Sequence, residues 1–116
     1  MPRITTAFIP VEDPKSSAAW YRDAFDLTIR EADEASAVLG GDDGMAITLL
    51  GPSSGIAQRP GIEWATCNFL VSDLDGTRES LRAAGMDISE ISGDPDRCLF
   101  FTTRDPDRNM LLVTDR

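Results

Sequence analysis

From Thr6 the chain alternates. Ala7, Ile9 and Val11 fall on one face, and Thr6, Phe8 and Pro10 on the other. A period of two over residues 4–11 predicts a β-strand. Asp13-Pro14 then reads as an N-cap followed by proline at the first helical position. Ser17, Ala18, Trp20, Tyr21, Ala24 and Phe25 recur at helical spacing, so the helix runs to about Phe25. Leu27 to Arg30, Ala35 to Leu39 and Met45 to Leu50 predict three short strands. Gly40-Gly41-Asp42-Asp43-Gly44 between the last two predicts a hairpin turn.

The same order then recurs. Ile62 to Val71 predicts a strand, with Ile62, Trp64, Thr66, Asn68 and Leu70 on one face and Glu63, Ala65, Cys67, Phe69 and Val71 on the other. Asp73 caps a helix whose apolar stripe is Leu74, Thr77, Leu81 and Ala84, and Gly85 fits its left-handed stop. Met86 to Ile91, Cys98 to Thr103 and Met110 to Thr114 predict three more strands, with the turn Asp105-Pro106-Asp107-Arg108-Asn109 before the last. Val11-Glu12-Asp13 and Val71-Ser72-Asp73 mark the repeat. The fold class is therefore α+β, as two tandem βαβββ modules spanning about 1–51 and 61–116 within one domain of 116 residues. The Gly/Pro/Ser-rich segment 51–60 is the linker. One helix covers only one face of a four-stranded sheet. The other face is expected to curve around a ligand or meet a second copy of the chain, in a dimer of half-barrel sheets.

Composition narrows the function. Twenty acidic residues against eleven basic ones give a net charge of −9, which disfavours nucleic acid and anionic membrane partners. No apolar run approaches the roughly 20 residues of a membrane span, and Met1-Pro2-Arg3-Ile4 lacks a secretory apolar segment. A cytoplasmic location is expected, with Cys67 and Cys98 as free thiols. Histidine is absent, which removes most zinc, iron and triad chemistry.

The Val-x-Asp openings, Trp20-Tyr21-Arg22-Asp23-Ala24-Phe25, Ala84-Gly85 and the Asp105–Asn109 turn together resemble the vicinal oxygen chelate superfamily. This is the glyoxalase, bleomycin-resistance and dioxygenase fold. The resemblance implies four inward positions that hold a metal in metal-using members. Seven residues before each aspartate this chain has Thr6 and Thr66, and seven after Asp105 it has Leu112. The fourth position falls at Ile47 or Thr48, with Thr48 favoured because Ala46, Thr48 and Leu50 share a face. Hydroxyls are weak ligands and leucine is none, so no metal and no cofactor is expected. Arg108 stands where the family usually has glycine.

The resemblance then implies the drug-binding branch, a metal-free homodimer that sequesters an aromatic, or aromatic and cationic, small molecule such as an antibiotic. No catalytic residue is assigned. The ligand-binding candidates are Thr6, Phe8, Pro10, Thr48, Trp64, Thr66, Asn68, Leu70 and Leu112. Trp64 is read as a stacking platform and Asn68 as the group that fixes orientation. Trp20, Tyr21 and Phe25 read as core, Glu63 and Glu90 as lone carboxylates, and Arg104 and Arg108 as solvated cations. The alternative is a metal-independent lyase, isomerase or cyclase, whose acid–base group would be a carboxylate, Tyr21, a cysteine or an arginine.

Overall fold

The computed structural model describes residues 2–41 and 44–116; Asp42 and Asp43 of the expected hairpin turn lie outside the described residues. The chain forms two units, one up to Pro60 and one from Gly61. In the first, β1 (Thr6–Pro10), α1 (Pro14–Phe25), β2 (Thr28–Ala32), β3 (Ser36–Gly40) and β4 (Ala46–Leu50) follow in order. In the second, β5 (Asn68–Leu70), α2 (Leu74–Ala83), β6 (Ser92–Asp94), β7 (Cys98–Arg104) and β8 (Met110–Thr114) repeat that order. The sheets run β1-β4-β3-β2 and β5-β8-β7-β6. In each, the first and last strands of the module are parallel, and the remaining pairs are antiparallel.

The register places the two copies in correspondence. The Val11 amide donates to Leu50 O and the Val71 amide to Thr114 O, both at 2.9 Å. Phe8 lies opposite Thr48 as Asn68 lies opposite Leu112. Both helices start on a capping aspartate. The Asp13 carboxylate accepts from the Lys15 and Ser16 amides, and that of Asp73 from the Gly76 amide at 3.0 Å. These caps satisfy N–H groups that the first helical turn leaves without partners.

Each sheet buries the face that meets its helix. Ile9, Leu39, Ile47 and Leu49 are buried in the first unit with Ala18 and Tyr21 of α1. Tyr21 sits edge-on to Trp20, with ring centroids 4.9 Å apart, and stacks near Phe25. These three aromatics belong to the helix packing. In the second unit Phe69, Phe101, Leu111 and Val113 are buried with Leu74 and Leu81.

Two expected strands differ from those observed. The alternation over Ile62–Val71 yields a strand only at Asn68–Leu70. The Asn109 side chain accepts from the Gly61 and Ile62 amides at 2.8 and 3.0 Å, and Ile62 O takes the Met110 amide at 2.9 Å. In the first copy the corresponding amide, that of Ala46, goes to Thr5 O. The second copy therefore joins its neighbour three residues earlier than the repeat would place it, and residues 63–67 leave the sheet. Trp64 and Thr66 are thus not strand residues. The segment Met86–Ile91 likewise makes only a single bridge, Ile88 to Thr103. The Ser89 hydroxyl accepts the Thr102 amide at 2.8 Å, where a ladder would use a carbonyl, and β6 forms three residues later.

Candidate functional site

The face of each sheet opposite its helix carries the candidate residues. In the first unit the cross-strand rows are Thr6–Ala46–Gly40, Phe8–Thr48–Val38 and Pro10–Leu50–Ser36. Thr48 therefore lies on the open face beside Phe8, while Ile47 is buried on the helix side. The Thr6 and Thr48 hydroxyls share a hydrogen bond of 2.8 Å. Phe8 is half exposed, an apolar ring on a face that its own helix does not cover.

In the second unit Asn68 and Leu70 share the open face with Leu112 and Thr114. The Asn68 amide nitrogen donates to Thr114 Oγ1 at 2.9 Å. That bond fixes the amide plane. Leu70 is 65% exposed and Trp64 72% exposed, the latter on the excursion rather than on a strand. Thr66 is exposed on the same excursion. The structure thus brings Thr6, Phe8, Pro10 and Thr48 onto one face and Asn68, Leu70 and Leu112 onto another. Trp64 and Thr66 lie on neither.

The charged residues have partners that the sequence does not reveal. Glu63 pairs with Arg104 at 3.2 Å, and Glu90 faces Arg78 at 3.6 Å, so neither is a lone carboxylate. Arg104 is not a solvated cation. Its guanidinium also donates to Ile62 O and Arg108 O, which ties the start of the excursion to the last turn. Arg108 pairs with Asp87 at 2.5 Å. Its φ of 70° is the left-handed conformation that glycine adopts readily, so the turn keeps its shape without the glycine. Within that turn Asp105 Oδ1 accepts from the Asp107 and Asn109 amides, and the Asn109 amide group donates to Asp105 Oδ2.

Neither thiol is placed for nucleophilic chemistry. Burial pushes the Cys67 thiol up, against a smaller opposing hydrogen bond with Thr66. The Cys98 thiol donates to Arg116 O at 3.4 Å. Both cysteines are free.

Neither unit offers a divalent ion adequate donors at the positions the resemblance names. Thr6 and Thr48 offer neutral hydroxyls already bonded to each other, Leu112 has no donor atom, and Thr66 has left the sheet. Among the described residues no three His, Cys, Asp or Glu side chains gather to hold a metal.

Paired βαβββ units, each with its first and last strands side by side and parallel and one sheet face left open opposite the helix, define an α+β fold. The profile of the Glyoxalase/Bleomycin resistance protein/Dioxygenase superfamily matches residues 3–113, and the chain belongs to that superfamily. Solved structures agree on the fold. UcmS2 is 21% identical with a TM-score of 0.78, over 100% of this chain and 99% of its own. A bleomycin resistance determinant encoded on transposon Tn5 is 19% identical at 0.72, over 99% and 98%. A lactoylglutathione lyase from Agrobacterium tumefaciens is 17% identical at 0.75, over 98% and 93%. At these identities the likeness shows the fold alone. No curated protein matches the sequence.

Proposed function

We propose that the chain is a metal-independent binding protein for a planar aromatic small molecule, acting by sequestration. The observation that carries this reading is the donor set. The four positions that would hold an ion present a bonded hydroxyl pair, a leucine and a displaced threonine. The open face of the first sheet shows an exposed Phe8, that of the second an exposed Leu70, and the excursion before β5 an exposed Trp64. Apolar surface with a few oriented polar groups suits a flat ligand. The superfamily's bleomycin resistance determinant supports sequestration by analogy of fold. Homodimerisation would cover apolar surface that one copy leaves exposed.

The test is equilibrium dialysis of the chelator-treated protein against the neutral probe 2-naphthamide, with mass analysis of the probe after denaturation and sedimentation of the same sample. Binding with the probe returned unchanged, by a dimer, is the expected result. Phe8→Ala should weaken binding by about 2 kcal/mol, roughly 30-fold, through lost stacking and buried area. Binding that appears only after a divalent metal is added would overturn metal independence. A chemically altered natural ligand in protein purified from its host would favour the lyase or isomerase reading instead.

A further inference from the structure

We infer that the open face of the first sheet recognises an acidic aromatic ligand, with the Arg30 guanidinium as the carboxylate-binding group. The inference deepens the proposed binding function and rests on it. Arg30 occupies the bulge of β2, where the register slips between Ile29 and Glu31. The slip frees its side chain from the strand alternation. Its guanidinium lies over Gly40: a Cβ on that glycine would collide with Nη2, Cζ and Nε of Arg30. Gly40 shares its cross-strand row with Ala46 and Thr6, so the guanidinium lies on the open face and not against α1.

The missing side chain is what makes room for the cation. Gly40 has no positive φ, so its backbone conformation does not demand glycine. Arg30 remains exposed, and the hydrogen bond recorded for it is a long one from Nη2 to Gly41 O, at 3.4 Å. Among the described residues it forms no ion pair. A planar guanidinium held against a sheet, with N–H groups that no described residue uses, is preorganised for a carboxylate.

The rest of the face fits the ring. Two strand spacings, about 10 Å, separate Gly40 from Thr6 across the small Ala46. An aromatic acid anchored at Arg30 would lie over Ala46, with the Thr6–Thr48 hydroxyl pair and Phe8 at its far edge. The chain's net charge of −9 opposes an anion at long range. That opposition is long-ranged and falls away with salt over a Debye length of about 8 Å at physiological strength, so the comparison is made at that strength.

The experiment compares 2-naphthoate with the neutral isostere 2-naphthamide by equilibrium dialysis at about 0.15 M salt. Naphthoate is expected to bind at least about tenfold more tightly, as a charge-assisted bidentate contact requires. Arg30→Gln should bring the two affinities to within about twofold. Gly40→Ala should do the same by displacing the guanidinium while leaving the cation in the chain; it serves also if Arg30→Gln fails to fold. Naphthamide binding without any advantage for naphthoate would overturn the inference and leave the binding function standing. An advantage that survives both substitutions would place the anion site elsewhere and overturn the inference. Binding of neither probe would overturn both.

Discussion

The two copies of the βαβββ unit part company where their first strand meets their last. In the first copy β1 runs five residues beside β4, and Thr6 keeps its place on the open face. In the second, β5 has three residues, and the position matching Thr6, Thr66, has left the sheet. The cause lies at the far end of the module. Asn109, which corresponds to Met45 of the first copy, is fully buried and holds the Gly61 and Ile62 amides, while Met45 is exposed. One buried amide thus converts a strand into an excursion that presents Trp64. A duplicated scaffold has diverged by moving a hydrogen-bond anchor, with its helix, caps and strand order left in place.

The strongest test removes that anchor. Asn109→Ala would remove the acceptor of two backbone donors and a hydrogen bond to the Asp105 carboxylate. Losing these three bonds, two of them part-buried, costs on the order of 3 kcal/mol. Met45→Ala, at the corresponding place in the first copy, should cost less than about 1 kcal/mol, as an exposed site does. Urea unfolding of both variants checks the contrast. Equal losses would mean that Asn109 is not what distinguishes the copies. Amide exchange at Gly61 and Ile62 should speed up only in the Asn109 variant.

The middle test concerns how each helix ends. α1 stops on Asp26 in the left-handed region, at φ 56°, and α2 is followed by Gly85 at φ 85°. A non-glycine residue there costs about 1 kcal/mol. Asp26→Gly should therefore stabilise the protein by about 0.5–1 kcal/mol, and Gly85→Ala should destabilise it by about 1 kcal/mol. Thermal melts of the two variants should move in opposite directions. Shifts of the same sign would show that the two stops are not equivalent.

Much of this architecture can be read from the chain because its signals are local. The Asp13-Pro14 cap, the helical spacing to Phe25, the alternation of β4 and β8 and the glycine after α2 all act within a turn or a strand pair. Thr6, Phe8 and Pro10 could be placed on one face for the same reason, whereas Thr48 joins them through the pairing of β1 with β4. What alternation cannot show is whether a strand finds a partner. Ile62, Trp64 and Thr66 keep the period of two, yet the Gly61 and Ile62 amides that open this segment are claimed by Asn109, 48 and 47 positions away. The Ser89 hydroxyl interrupts the expected strand before β6 in a similar way. Arg104 and Glu63 pair across 41 positions, which no local pattern records. Gly40 reads in sequence as part of a turn, and only the bulge at Arg30 shows what its missing side chain accommodates.

The smallest test asks whether the strand turns of the two copies carry equal weight. Between β2 and β3 the Asp33 carboxylate accepts the Ala35 amide at 2.8 Å and the Ser36 amide at 2.9 Å. Between β6 and β7 the Asp94 carboxylate accepts the Asp96 amide at 2.9 Å. The bonds from Ser36 and then Ala35 hold the Asp33 carboxyl below the usual carboxylate range, with a small contribution from Lys15. A carboxyl depressed in the folded state stabilises fully above its unfolded pKa, and that contribution disappears as the pH falls through its folded pKa. Asp33→Asn should therefore lower the melting temperature slightly at pH 7, since a neutral amide oxygen is the weaker acceptor. The parent and variant should converge as the solution is acidified through and below the carboxylate range. Asp94→Asn, with one amide bond at stake, should shift the melt less at pH 7. A difference between parent and Asp33→Asn that persists unchanged in acid would mean that the charge of Asp33 is not what closes the first copy's turn.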